Sequence, residues 1–287
     1  MRLWLTTLFL MTVVLQPFGQ ATAAAQGVAE EPGWSFNGRF HGSSNEAGLV
    51  MKLDPSIGYT FNSHFQASLG LPVYLVRESS TLLTTPDSPG FTNGIGNAYM
   101  NGQFSLMNPA LNYTSNLVIT APTGNKEHGF STGRVTVDWT NGFSRSFESL
   151  TPFANIGVAN TVSDTSFFVR PFSSYGLVSH FDGGAVLDFH RLASIGASGY
   201  AVRASGEQRI FSKVKRDSTS TSTLRQRPIF EEVSEILAAA DAANDQGMSA
   251  WFNFAPTSKV YFQAGYSRST RYDLNSVFFG MGFRVGK

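Results

Sequence analysis

The chain contains no cysteine among its 287 residues, so no disulfide framework can stand in for a core, and a small secreted disulfide scaffold is excluded. Charge is also scarce. Asp, Glu, Lys and Arg make up 14% of the residues, against about 25% in an ordinary soluble domain. Neither sign dominates, with 21 basic and 20 acidic residues, and this balance argues against nucleic acid as a partner. Beyond the first residues no apolar run approaches the ~20 residues that a membrane-crossing helix needs. Any crossing of a membrane therefore falls to strands. Metal-ligand spacing is missing as well: His41, His64, His128, His180 and His190 stand singly, without a His-x-Glu-x-x-His pattern. Pro122-Thr-Gly-Asn-Lys126 lacks the glycine spacing of a phosphate-binding loop. No cofactor is expected.

The N-terminus carries a clear export pattern. Arg2 precedes an apolar run from Leu3 to Leu15, and the small residues Ala21-Thr-Ala-Ala-Ala25 follow. Residues 1–25 read as a secretory signal peptide, cut after Ala25 with Ala23 at the −3 position, or alternatively after Ala23. Residues 26–33 then form a short periplasmic leader, and 34–287 the body of the protein.

That body is rich in glycine and phenylalanine, 28 and 25 residues, and its apolar residues recur at every second position. The clearest case flanks the loop from Ala121 to Arg134. Before it, Tyr113, Leu117 and Ile119 alternate with Asn112, Thr114, Asn116 and Thr120; after it, Val135, Val137 and Trp139 alternate with Arg134, Thr136 and Asp138. Period 2 gives each strand one apolar and one polar face. The same pattern predicts strands over Trp34–His41, Leu49–Thr60, Phe65–Leu75, Asn97–Leu106, Leu150–Asn160, Pro171–His190 with a break at Gly183-Gly184, Ala193 to about Ile210, Met248–Ala255, Lys259–Arg268 and Asn275–Lys287. The connections alternate between long tips and short turns. An even strand count, short turns at one end and long loops at the other define an all-β, transmembrane, antiparallel up-and-down β-barrel of about twelve strands in the bacterial outer membrane. Lipid offers no hydrogen-bond partner to a sheet edge, so the last strand must close on the first.

The polar faces supply the candidate lumen: Asn97, Asn101, Gln103, Asn112, Asn116, Arg134, Thr136 and Asp138 on the central strands. The longest insertion, 211–247, is expected to be an extracellular loop. Its first part is basic, with Lys213, Lys215, Arg216, Arg225 and Arg227 as candidate contacts for lipopolysaccharide phosphates. Its second part is acidic, and Phe230, Val233, Ile236, Leu237 and Ala240 recur at helical spacing, which predicts an amphipathic helix over Pro228–Ala243 that could gate the pore. His41-Gly-Ser-Ser-Asn45 sets a histidine two residues from a serine. This is a weaker echo of the His-x-Ser-Asn-Gly motif of outer-membrane phospholipases, and His41 falls on the polar face rather than beside lipid.

Ala121-Pro-Thr-Gly-Asn125, Gly129-Phe-Ser-Thr-Gly-Arg-Val-Thr-Val-Asp138, Thr151-Pro-Phe-Ala-Asn-Ile-Gly-Val-Ala-Asn160 and Val178-Ser-His-Phe-Asp-Gly-Gly184 together resemble the outer-membrane barrel family named for the MetA pathway of phenol degradation. Gly94-Ile-Gly-Asn-Ala-Tyr99 is similar to that family's Gly-x-Gly-Asp strand start, with Asn97 in place of the acid. The resemblance implies a transporter of small organic molecules, aromatic or hydrophobic ones among them, and not an enzyme. Expected partners are outer-membrane lipid and lipopolysaccharide, the barrel-assembly machinery and a small organic solute. A lipid-modifying barrel enzyme and a structural or adhesive barrel with a plugged lumen are the alternatives.

Overall fold

The computed structural model describes residues 32–45, 48–78, 91–162, 169–214 and 235–286. The signal-peptide and leader readings lie almost wholly outside this range.

The strands, in chain order, are β1 (Gly33–Asn45), β2 (Gly48–Thr60), β3 (Phe65–Gly70), β4 (Val73–Glu78), β5 (Phe91–Ile95) and β6 (Tyr99–Leu106). They continue with β7 (Asn112–Thr120), β8 (Thr136–Ser144), β9 (Leu150–Ala159), β10 (Phe172–Tyr175), β11 (Val178–His190) and β12 (Ala193–Ala204). The last are β13 (Gln208–Ser212), β14 (Ile236–Ala238), β15 (Asp245–Thr257), β16 (Val260–Ser269) and β17 (Leu274–Gly286). β2 pairs with β3 along one half of its length and with β4 along the other, and β4 and β3 pair in turn with β5 and β6. Each of these pairs of short strands is one interrupted barrel strand. With β1 bonded to both β2 and β17, the sheet closes into an antiparallel barrel of 12 strands.

The first interruption follows from proline. Leu71-Pro72 lies opposite Asp54-Pro55, with Pro55 across from Leu71 and Pro72 across from Asp54, so each strand lacks an N–H here and the regular ladder is interrupted. The expected third strand therefore divides. The expected break at Gly183-Gly184 does not occur, because both glycines keep ladder partners on β9 and β12. Two long strands are instead shorter than the pattern suggests: 171–175 and 208–212 leave the barrel wall and pair with each other as β10 and β13.

Every barrel strand turns an apolar face outward. On β17, Val277, Phe279, Met281, Phe283 and Val285 are exposed, while Leu274, Ser276 and Phe278 are buried inside. Its 13 residues, at about 3.3 Å each and a tilt near 40°, rise roughly 33 Å, enough to cross the ~25 Å apolar band of an outer-membrane barrel. The short turns and both strand ends Gly33 and Gly286 lie at one end of the barrel, and the long connections at the other.

Candidate functional site

The closed wall encloses a polar interior, because the residues that alternate with the lipid-facing ones are Ser, Thr, Asn, Gln and a few charges. Asn101, Gln103, Asn112, Thr136 and Asp138 are buried on the inner face, with Asn116 half-buried beside them. Asn101 pairs with Val118 and Gln103 with Asn116 across β6 and β7, so these side chains share one surface. Two of the expected lining residues stand elsewhere. Arg134 precedes β8, is exposed, and lays its guanidinium 5.0 Å from the centre of the Tyr175 ring. Asn97 occupies the gap between β5 and β6, where its Oδ1 accepts a 3.0 Å hydrogen bond from the Gly124 N–H. Both depart from the alternation because the backbone there is not in the ladder.

Three polar groupings cover the inner wall. On β8, β9 and β11, His180 Nε2 lies 3.1 Å from Asp138 Oδ1, Thr140 donates to the same oxygen at 2.8 Å, and Asn155 donates to Asp182 at 3.1 Å. The His180 ring covers Gly157, where a Cβ would come within 2.2 Å of the imidazole. Only glycine leaves room for that ring. On β1, β2 and β6, Lys52 and Asp54 form a 3.1 Å ion pair, Tyr99 donates to Asp54 at 2.9 Å, and Arg39 stands alongside. A third chain runs from Gln263 to Asn253 at 3.0 Å and on to Ser194 at 3.1 Å. Sequence periodicity alone gave no reason to select His180, Asp182 or Arg39, since it assigns a face but not a neighbour.

The loop end is filled from within. β13 bonds to β10 on one edge and to β14 on the other, a three-stranded sheet that folds into the mouth. Ile236–Ala238 is thus a strand, not part of the expected helix; Ile236 and Ala238 turn inward while Leu237 is exposed, an alternation that suits pairing with β13. A short 3-10 turn, Ala240–Ala243, follows, and the rest of the predicted helix lies outside the described residues. Phe172 and Ile210 join Val178 and Val202 of the wall in one apolar cluster. Phe130 folds in from the loop after β7 and stacks on Tyr74 at 5.2 Å, in a second cluster with Val169 and Val214.

Buried polar contacts tie this plug to the wall. Arg170 donates to Asp245 Oδ2 from Nη2 at 2.9 Å and from Nε at 3.2 Å, with both side chains 1% exposed. Asp245, the first residue of β15, also accepts from Tyr200 at 3.1 Å and Ser269 at 2.6 Å. Lys213 donates to the Arg170 carbonyl at 3.0 Å and sits 4.8 Å from the Tyr74 ring centre. Lys213, one of the expected lipopolysaccharide contacts, is thus buried at the mouth; Lys215, Arg216, Arg225 and Arg227 lie outside the described residues. Nearer the surface, Glu235 bridges Lys126 at 2.8 Å and Arg209 at 3.0 Å. The Lys126 ammonium beside it, with Arg209, holds the Glu235 carboxyl below the usual carboxylate range against the opposing effect of burial. Burial likewise pushes the Tyr272 phenol up, while its hydroxyl donates to the Ala242 and Asn244 carbonyls.

His41 and Ser43 both face inward. Ser43 donates to Ser276 at 2.7 Å and accepts from the Val169 N–H at 3.3 Å, so the hydroxyl belongs to the seam between wall and plug and not to the lipid side.

The architecture is that of a transmembrane outer-membrane β-barrel. Among solved structures, the chain is similar to an outer-membrane channel of Pseudomonas putida F1, at 10% identity and a TM-score of 0.61 over 93% of this chain and 100% of that one. It is also similar to the NanC porin, at 10% identity and a TM-score of 0.51 over 87% of this chain and 100% of that one. At such identities the likeness establishes the fold. No protein-family model matches the chain, and no curated protein matches it in sequence.

Proposed function

We propose that the chain is an integral outer-membrane channel that passes small organic solutes by diffusion through its lumen. The observation that carries this reading is the inner wall: a closed barrel whose interior, beside its apolar cluster, is dressed with Asn, Gln, Ser, Thr and charged groups. Asn101, Gln103, Asn116 and Asp138 offer a solute hydrogen bonds in place of the water it sheds. The likeness to a channel and a porin adds support through the shared fold. In this reading the loop end is extracellular, the plug of β10, β13 and β14 is the gate, and the basic residues 215–227 meet lipopolysaccharide. Aromatic solutes are the class implied by the sequence resemblance.

The test is conductance of the purified mature protein in planar bilayers. Discrete ohmic steps are the expected result. A barrel that inserts, shows heat-modifiable migration on gels and yet never conducts would overturn the channel reading in favour of a plugged structural barrel.

A further inference from the structure

Charges in the mouth and charges in the lumen are arranged differently. In the mouth, Arg170 and Asp245 are joined directly. In the lumen, Arg39 has no ion-pair or hydrogen-bond partner among the described residues, although Asp54 lies opposite it on β2. Asp54 is already engaged by Lys52 at 3.1 Å and Tyr99 at 2.9 Å. Tyr261, the other phenol beside Arg39, spends its hydroxyl on Asn37 at 2.7 Å. The wall formed by β1 and β2 therefore presents one net positive charge, centred on Arg39.

The facing wall is acidic. β9 stands six strands from β1 in the sheet order, the diametrical position of a closed 12-strand barrel. Its neighbours β8 and β11 carry Asp138 and Asp182 on their inner faces. Asp182 is held only by neutral donors such as Asn155, and Asp138 by Thr140 and His180; neither meets a Lys or Arg among the described residues. Separated opposite charges inside a barrel are costly unless water or a solute satisfies both.

The span can be sized. Twelve strands at ~4.8 Å spacing and ~40° tilt give a backbone diameter near 24 Å. Subtracting about 7 Å for the reach of Arg and 3 Å for that of Asp leaves about 14 Å between the charged groups. A solute whose carboxylate and ammonium stand about 8–9 Å apart would bridge that gap with one ~2.8 Å charge-assisted hydrogen bond at each end.

We infer that the lumen holds a selectivity site for zwitterionic organic solutes, with Arg39 receiving the carboxylate and Asp138 and Asp182 the ammonium. This rests on the channel reading and names the substrate class for the same lumen. A neutral aromatic molecule would gain nothing from such a pair of walls, and a simple ion would engage only one.

The probe is 6-aminohexanoate, compared with hexanoate and hexylammonium at neutral pH, on the full mature chain. In bilayers, 6-aminohexanoate should interrupt the current at concentrations at least about tenfold below either monovalent ion. Arg39→Gln and Asp182→Asn should each abolish the preference, and Arg39→Lys should retain it. Equal block by all three compounds, or a preference that survives Arg39→Gln, would overturn the site while leaving the channel standing. If no steps are seen at all, the channel reading fails separately, and calorimetric titration of the detergent-solubilised protein still decides the site. A 6-aminohexanoate preference lost in Arg39→Gln supports it, and no preference overturns it. Heat-modifiable migration of each variant certifies that the barrel has formed.

Discussion

Asp245→Asn tests whether the mouth is latched by charge. The carboxylate lies on β15 of the wall and its partner Arg170 on the segment leading into β10, so the contact joins two parts that could separate without unfolding the barrel. Both side chains are 1% exposed, and removing one member of such a pair costs about 3–5 kcal/mol because the other charge stays buried. Asparagine keeps the size and one acceptor oxygen, so the lower end, near 3 kcal/mol, is the appropriate figure. At about 1.4 kcal/mol per tenfold, the ratio of undocked to docked plug should rise roughly a hundredfold. The barrel ladder uses backbone groups only and should survive unchanged. Two readouts follow: the open fraction of single channels, and tryptic cleavage at Arg209 and Lys213, of which Lys213 is buried in the docked plug. Both should increase in Asp245→Asn and in Arg170→Met, and the double variant Arg170→Met/Asp245→Asn should lose less than the sum of the two singles. Wild-type open fraction and wild-type cleavage in both single variants would refute the latch.

Three further outcomes follow from particular contacts. Phe279→Arg, at the middle of the outward face of β17, should cost about 2–4 kcal/mol in denaturant unfolding from lipid vesicles, and Val285→Arg near the strand end much less; equal losses would mean that this face does not meet lipid. Gly70→Ala would put a Cβ within 2.3 Å of the Tyr99 ring, and the forced shift should cost about 1–3 kcal/mol, read as a lower unfolding temperature and relieved in a Tyr99→Leu background. Glu235 has a carboxyl pKa below its ordinary value of 4.5, chiefly through Lys126, so its clamp on the plug is complete above that value and is lost as pH falls through the folded-state value. Channel opening should therefore increase in acid, and Glu235→Gln should show the acid behaviour already at neutral pH; an identical pH profile in the two proteins would exclude the clamp.

The barrel was legible in the sequence because lipid and lumen impose opposite demands on alternate residues, and twelve repetitions of that demand leave a periodic trace. Val137 and Trp139 outward with Thr136 and Asp138 inward is the simplest instance, and β7 and β8 pair across it as the pattern requires. The plug left no such trace. Phe172–Tyr175 and Gln208–Ser212 lie next to the periodic stretches of β11 and β12, so the sequence reads them as extensions of those strands; what removes them from the wall is pairing with each other and burial of Phe172 and Ile210 in one apolar cluster, a long-range contact. The helical spacing at Ile236, Leu237 and Ala240 misleads for a related reason: one edge of β13 lacks a partner, and hydrogen bonding to it outweighs an isolated helical turn.

The lumen was legible only as a surface. Periodicity states that Asp138 points inward, but its relation to His180 depends on β9 lying between β8 and β11, and the relation of both to Arg39 depends on closure by β17. These juxtapositions distinguish the two ends of the interior. At the mouth a fixed packing is needed, and Arg170 meets Asp245 within a network that Tyr200 and Ser269 complete. On opposite sides of the strand order, Arg39 and Asp182 have no ion-pair partner among the described residues. Were mid-barrel stability the governing requirement, Arg39 would be neutralised as Lys52 is, or replaced by a residue of the apolar kind that fills the plug. A solute that completed the pair in passage and released it on leaving, as the inferred zwitterion site requires, would account for a cation facing two carboxylates.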